Sequence, residues 1–224
     1  RMSDRFAKIG QSGNPTSPIG ERVPAERLRE APEFPGAYDP HIWFDVESWM
    51  LAADVVAEEL IAFDPTSEAI YLDNLASYRS ELDDLHHEVQ DKIDSIPADR
   101  RVLVTAHDAF GYFGREYGLE VIGLQGTSTA TEASANDVRV LADLIAERKI
   151  PAIFIESSVS PATISAVREA VRARGFDVVI GGQLFSDALG DDGTPEGTYL
   201  GMVRHNVDAI VAALSASPVA AAAA

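Results

Sequence analysis

Short apolar runs alternate with amphipathic segments along the second half of the chain, beyond Pro97. Continuous apolar runs of this length predict buried strands, whereas apolar positions repeating every three or four residues predict helices. Strands are predicted at 101–106, 119–124, 152–156 and 177–181, and helices at 134–149, 161–174 and 199–214. Strands joined by helical crossovers predict an α/β lobe with a parallel, doubly wound sheet.

A long helix is predicted before this lobe. Asp64 and Pro65 form a typical helix start, and no glycine or proline interrupts the chain from there to Ile96. One apolar stripe with steps of three and four residues runs along it, at Leu75, Tyr78, Leu82, Leu85, Val89 and Ile93. At 1.5 Å per residue the helix would span roughly 45 Å, which is long enough to connect two lobes.

The segment before this helix is less regular. Residues 1–40 contain many prolines and glycines and are predicted to be irregular. A helix is then predicted to begin at Asp39, which would cap it, with Pro40 in the first helical position. Its apolar side would be formed by Trp43, Phe44, Trp49 and Met50.

Composition narrows the possible functions. The chain has 224 residues and 46% hydrophobic residues, which is typical of a globular protein. Its formal net charge of -18 argues against nucleic acid or anionic lipid as a main partner, because both would be repelled. The chain has no cysteine, so any metal must be bound by histidine and carboxylate side chains.

Polar residues that follow strands are the first candidates for chemistry, because ligands bind beyond the carboxyl ends of a parallel sheet. His107 follows the first predicted strand, and Asp187 lies in the loop after the last one. The alternatives are a helix N-terminus at His107 and ordinary turn chemistry at Asp187. His41 lies near a predicted helix start, where the helix dipole would favour the neutral, metal-binding imidazole. Its alternative is a packing or capping role.

The remaining histidines are interpreted without a role in a site. His86 and His87 are neighbours on the long helix, so they point in different directions, and both are expected to be solvated. His205 is expected to have a structural role in the last predicted helix.

Four motifs in order carry a resemblance to a known family. They are Asp-Pro-His-Ile-Trp at 39–43, His-Asp-Ala-Phe-Gly-Tyr-Phe at 107–113, Phe-Ile-Glu-Ser-Ser at 154–158 and Leu-Phe-Ser-Asp at 184–187. In this order, around a long helix and a parallel lobe, they resemble the solute-binding proteins of zinc and manganese ABC importers. The resemblance covers nearly the whole chain.

This resemblance implies that His41, His107 and Asp187 bind Zn²⁺ or Mn²⁺ as the transported ion. The partner would be the membrane permease of an ABC importer, and the protein would be a monomer outside the cytoplasm, either periplasmic or lipid-anchored. Family members have a further histidine ligand, which we expect upstream of Arg1 together with an export signal and most of the N-terminal lobe. Glu156 and Glu132 are candidates for outer partners that orient a ligand, and the alternative for both is a plain structural role.

The resemblance also implies a division of the chain. Residues 1–63 would be the remaining part of an N-terminal lobe, and 64–97 the linking helix. Residues 98–215 would form the C-terminal α/β lobe, and 216–224 a disordered tail.

The sequence allows two other functions. In a metallohydrolase, an open metal position would hold an activated water, and Glu132 or Glu156 would be the general base. The sequence has no His-Glu-x-x-His motif, no Gly-x-Ser-x-Gly motif and no phosphate-binding glycine loop to favour this hypothesis. In a protein-interaction module, the long helix and the acidic faces would bind other proteins without a metal.

Overall fold

The computed structural model describes residues 18–130 and 133–216 of the chain. Glu132 and almost all of the predicted tail at 216–224 lie outside the described residues. The described part of the segment predicted to be irregular contains only single turns and an isolated bridge between Glu30 and Tyr38. The division into lobes and a linking helix stays a prediction.

Four strands form two parallel pairs. They are β1 (Val102–His107), β2 (Glu120–Gln125), β3 (Ala152–Glu156) and β4 (Val179–Leu184). β1 pairs with β2, and β3 pairs with β4, in both cases in parallel. β1 also packs against β3. The predicted α/β class with parallel strands is therefore confirmed, and the strands lie where the apolar runs placed them, to within a few residues.

The helices connect and cover these strands. The α-helices are α1 (Ile19–Arg22), α2 (Val46–Phe63), α3 (Glu68–Asp94), α4 (Gly111–Tyr117), α5 (Ala135–Arg148), α6 (Pro161–Arg172) and α7 (Tyr199–Ser215). Single 3₁₀ turns lie at Ala25–Arg27, Ile42–Phe44, Pro65–Ser67, Ala98–Arg100 and Pro195–Gly197. Among the helices of the described ranges, none is both long enough and apolar enough to cross a membrane.

The apolar core lies on both faces of the strands. Leu103 in β1 and Phe154 in β3 belong to one core cluster, which also contains buried residues of α2, α3, α4 and α7. Their neighbours Val104 and Ile153 belong to the other cluster, with buried residues of α5 and α6. Because successive residues of a strand point to opposite faces, this division produces the predicted doubly wound arrangement.

The helix predicted to begin at Asp39 begins instead at Val46, so that prediction was wrong. Asp45 is its N-cap, and the Asp45 carboxylate accepts a hydrogen bond of 3.0 Å from the backbone N–H of Ser48. Asp39 is buried and binds other groups, as described below. Asp39 and Asp45 are both of a residue type that caps helices. Asp39 is buried and bonded to other groups, and Asp45 caps the helix.

The long helix was predicted almost correctly. Asp64 caps a 3₁₀ turn, and α3 follows from Glu68 to Asp94, about 40 Å long at 1.5 Å per residue. Four of the six residues of the predicted stripe are buried, at Leu82, Leu85, Val89 and Ile93.

The short helix α4 was not predicted. Its residues are buried on nearly all sides, so it lacks the polar face that makes a helix visible in a sequence. Gly114 lies against β2, where a Cβ atom would come within 2.7 Å of the Leu119 carbonyl oxygen. This close approach explains a glycine inside a helix.

Candidate metal centre

Three side chains that are far apart in the sequence converge at one edge of the strands. His41 precedes the 3₁₀ turn Ile42–Phe44, His107 is the last residue of β1, and Asp187 follows β4. Asp187 Oδ1 lies 3.4 Å from Nε2 of His41 and 3.5 Å from Nε2 of His107. One donor atom from each residue lies within 4.8 Å of the other two. The structure therefore brings together all three residues that the sequence singled out.

The site is closed on the histidine side and open on the aspartate side. His41 and His107 are buried, whereas the side chain of Asp187 is 37% exposed. Among the described residues, both ring nitrogens of His107 are buried without a partner in hydrogen-bond geometry. A buried nitrogen of this kind needs a partner, and an ion held between the three side chains would provide one.

Asp39 orients His41. Asp39 Oδ1 lies 2.6 Å from Nδ1 of His41 and accepts a 3.0 Å hydrogen bond from its backbone N–H. The other carboxylate oxygen accepts a 2.7 Å bond from the guanidinium of Arg29. Tyr112 completes the arrangement, because its hydroxyl donates to the carbonyl oxygen of Asp39 over 2.9 Å. This role of Asp39 was not predicted, although an Asp two residues before a candidate ligand was a usable signal.

Glu156, at the end of β3, orients His107. Its Oε1 accepts a 2.8 Å hydrogen bond from the backbone N–H of His107. Its Oε2 lies 2.6 Å from His107 Nδ1, an ion-pair distance, although the angle is not that of a hydrogen bond. Glu156 is 2% exposed and faces away from water. The geometry agrees with the outer-partner role expected for it, whereas Glu132 lies outside the described residues.

The loop that carries Asp187 is held from two sides. Asn206 of α7 brackets the backbone of Phe185: its Oδ1 accepts from the N–H over 2.9 Å, and its Nδ2 donates to the C=O over 2.8 Å. From the other side, Nε1 of Trp43 donates a 3.0 Å bond to the carbonyl oxygen of Ser186. This bond joins the Asp187 loop to the turn that follows His41.

The carboxylates control the protonation of both imidazoles. Burial lowers the pKa of His107, but Asp187 and Glu156 outweigh it and raise the pKa to about 9. Burial likewise opposes the charge of His41, yet Asp187 and Asp39 raise its pKa above the usual value. The two imidazoles in turn hold the pKa of Asp187 well below its usual range. This shift opposes the neutral form expected for His41, because Asp39 and Asp187 favour the charged imidazole.

The arrangement is suited to a divalent cation. In both histidines Nδ1 faces a carboxylate and Nε2 faces Asp187, which is the usual geometry of metal-binding imidazoles. A cation at this point would displace the Nε2 proton of each ring and would be bound by nitrogen and oxygen atoms only. Three protein donors leave a position open for a further ligand.

The other histidines lie away from this site. His87 is exposed, as expected, but His86 is half-buried with Nδ1 3.2 Å from the hydroxyl of Tyr117, so its predicted solvation was wrong. His205 contacts the backbone, with Nε2 3.0 Å from the carbonyl oxygen of Gln183.

Comparisons with known proteins agree on one family. The profile of the ZnuA family, described as the periplasmic component A of a zinc-uptake complex, matches residues 3–213. The zinc-binding protein TroA of Treponema pallidum is 50% identical over 220 residues, which cover 96% of this chain and 69% of TroA. The manganese-binding lipoprotein MntA of Bacillus subtilis is 43% identical over 214 residues, covering 96% of this chain and 69% of MntA.

Comparison of the fold with solved structures indicates the same family. The solved structure of the periplasmic zinc-binding protein TroA of Treponema pallidum matches with a TM-score of 0.91 at 50% identity, covering 96% of this chain and 76% of that one. A second TroA structure, determined to study metal specificity, matches with a TM-score of 0.83 at 35% identity, covering 88% of this chain and 72% of that one. Sequence and fold thus lead to one conclusion: the chain belongs to the ZnuA family of metal-binding solute-binding proteins of ABC importers.

Proposed function

We propose that this chain is an extracytoplasmic solute-binding protein that captures Zn²⁺ or Mn²⁺ and delivers it to the permease of an ABC importer. The observation that carries the proposal is the convergence of His41, His107 and Asp187, each imidazole backed by a buried carboxylate. Membership of the ZnuA family supports the transport role, and relatives named as zinc-binding and manganese-binding proteins support the choice of ions.

The ligand assignment is part of this proposal. His41 and His107 would bind the ion through Nε2, and Asp187 would bind through one or both carboxylate oxygens. Nitrogen and oxygen donors without sulfur suit zinc, manganese or ferrous iron. For such a site, zinc should bind more tightly than manganese, since affinity rises along this series of divalent ions. The exposed side of Asp187 is where the ion would enter.

The alternative functions have less support. Family membership argues against a metallohydrolase, and so does the position of Glu156, which is buried against His107 and turned away from any attacking water. The third hypothesis, a metal-independent interaction module, leaves the convergence of three donor groups unexplained. A monomeric state and the absence of nucleic-acid binding remain part of the proposal, the latter because of the net charge of -18.

Equilibrium dialysis with elemental analysis tests the ligand assignment. At low free metal, the wild-type chain should bind one zinc ion, and the His41→Ala, His107→Ala double variant should lose this binding. Each single variant should lose at least the roughly 10- to 100-fold in affinity that removal of an outer partner costs. His87→Ala is the matched control, because His87 is exposed and lies outside the site. Unchanged high-affinity uptake by the double variant would refute the assignment.

A further inference from the structure

A second group of metal-binding side chains lies outside the centre described above. Glu47 near the start of α2, His86 in α3 and Glu116 in α4 each present one donor atom within 4.8 Å of the other two. All three residues are half-buried, so they are accessible to an ion but partly shielded from water. We propose that Glu47, His86 and Glu116 bind a second divalent transition-metal ion, more weakly than the first.

The charges around this group are unevenly compensated. Arg27 lies 2.6 Å from Oε2 of Glu47 and 3.5 Å from the buried carboxylate of Asp45, and Arg115 lies 3.6 Å from Asp45. Both guanidinium groups are therefore directed at Asp45 or at one oxygen of Glu47. Within the described ranges, Glu116 makes no ion pair and no side-chain hydrogen bond. A cation between the three donors would compensate the negative charge of Glu116.

His86 is held in a way that suits a metal ligand. Its Nδ1 lies 3.2 Å from the hydroxyl of Tyr117, and the two rings are packed 5.5 Å apart between centroids. When Nδ1 donates its proton to the Tyr117 oxygen, Nε2 carries a free lone pair. One imidazole and two carboxylates form a donor set that zinc accepts, with open positions for water.

The expected affinity is lower than at the first site for two reasons. Glu47 is shared with Arg27, so a bound ion must compete with an existing ion pair. The donors are also more exposed than His41 and His107, which weakens their electrostatic attraction for a cation.

The position of this site connects it with the proposed capture of metal. α2 follows the turn next to His41, and α4 follows β1, which ends at His107. A cation bound by Glu47, His86 and Glu116 would therefore join both of these segments to the long helix α3. The binding itself requires no metal at the first site.

Equilibrium dialysis of the full 224-residue chain against rising concentrations of Zn²⁺ alone tests the proposal. The wild-type stoichiometry should rise from one to two ions per chain. His86→Ala and Glu116→Gln should stop at one ion, with the affinity of the first site unchanged. His87→Ala is the matched control and should still reach two, because the neighbouring His87 is exposed and takes no part. Glu116→Gln preserves side-chain shape, so it remains informative if His86→Ala does not fold.

These measurements distinguish a failure of the second site from a failure of the first site. The His41→Ala, His107→Ala variant should keep the weaker ion, and adding Glu116→Gln should remove it. A wild-type stoichiometry that stays at one at saturating zinc would overturn the second site and leave the first intact. Equal loss of the second ion in His86→Ala and His87→Ala would also overturn it, because it would indicate binding to the acidic surface in general.

Discussion

Single carboxylates determine the chemistry of the two imidazoles at the candidate metal centre. Asp39 and Glu156 lie on the Nδ1 side of His41 and His107, and Asp187 lies on the Nε2 side of both. Without a metal, these negative charges favour the protonated rings. With a metal, the ion takes the place of the protons, and the same carboxylates orient the neutral rings.

Metal binding should therefore depend strongly on pH. Because the pKa of His107 is about 9 and that of His41 is also raised, a metal must displace protons at neutral pH. The apparent affinity for zinc should rise by about tenfold per pH unit for each proton released, up to about pH 9.

The folding stability of the metal-free protein should instead fall as the pH rises. A raised pKa stabilises the fold below the unfolded value of about 6.5, and this contribution is lost as the pH rises through about 9.

Calorimetric titrations of zinc in buffers with different ionisation enthalpies measure the number of protons released. At pH 7.5 the wild-type chain should release at least one proton per ion bound. Replacement of the outer partner by Glu156→Gln should lower that number, because it removes one of the charges that raise the pKa of His107. Equal affinities at pH 6.5 and pH 8.5 would contradict this interpretation.

The sequence predicted the individual donors better than their surroundings. His107 and Asp187 could be found from their positions after strands, and His41 from its motif. The pairing of Asp39 with His41 was not predicted, because an Asp before a Pro is also a good helix cap. Only burial beside Arg29 separates the two roles, and burial depends on residues distant in the sequence.

At the scale of elements, α7 fixes the loop that carries Asp187. Asn206 is 2% exposed, and its amide satisfies both the N–H and the C=O of Phe185. In the described part of the chain, no other element binds these two backbone groups. Asn206 therefore holds the loop that carries Asp187 and is not itself one of the three candidate ligands.

Asn206→Ala should leave the part-buried N–H and C=O of Phe185 without partners and should lower the free energy of unfolding by about 1–3 kcal/mol. Zinc affinity should also fall, because Asp187 is no longer held facing the imidazoles. Chemical denaturation and zinc titration of the same preparation measure the two effects. Asp208→Asn is the control, since Asp208 lies on the same helix but is exposed and binds only Lys92 in the described structure. Wild-type zinc affinity in Asn206→Ala would exclude the positioning role.

The elements themselves were largely predictable from patterns of apolar residues. The strands were found because each is a short apolar run, and α3 because its stripe is long and regular. α4 was missed because it is buried on nearly all sides and contains Gly111 and Gly114. The start of α2 was misplaced by several residues, because capping residues occur at both Asp39 and Asp45.

At the scale of the whole molecule, the two-sided core holds the ends of β1 and β3 together. Leu103 and Phe154 face one cluster, Val104 and Ile153 the other, so both strands are held on both sides. This packing places His107 next to Glu156. The pairing of these two side chains therefore depends on the core that holds β1 and β3 together.

A site formed by the folded chain and absent from the unfolded chain must link metal binding to global stability. At a free zinc concentration of 100 times Kd, the free energy of unfolding should rise by about 2.7 kcal/mol. For a domain of this size, each kcal/mol raises Tm by roughly 2–4 °C, so we expect a shift of roughly 5–10 °C. Differential scanning calorimetry with and without zinc measures it, and the His41→Ala, His107→Ala variant should lose most of the shift. If neither zinc nor manganese changes the wild-type Tm, the metal-independent interaction module becomes the better account of this chain.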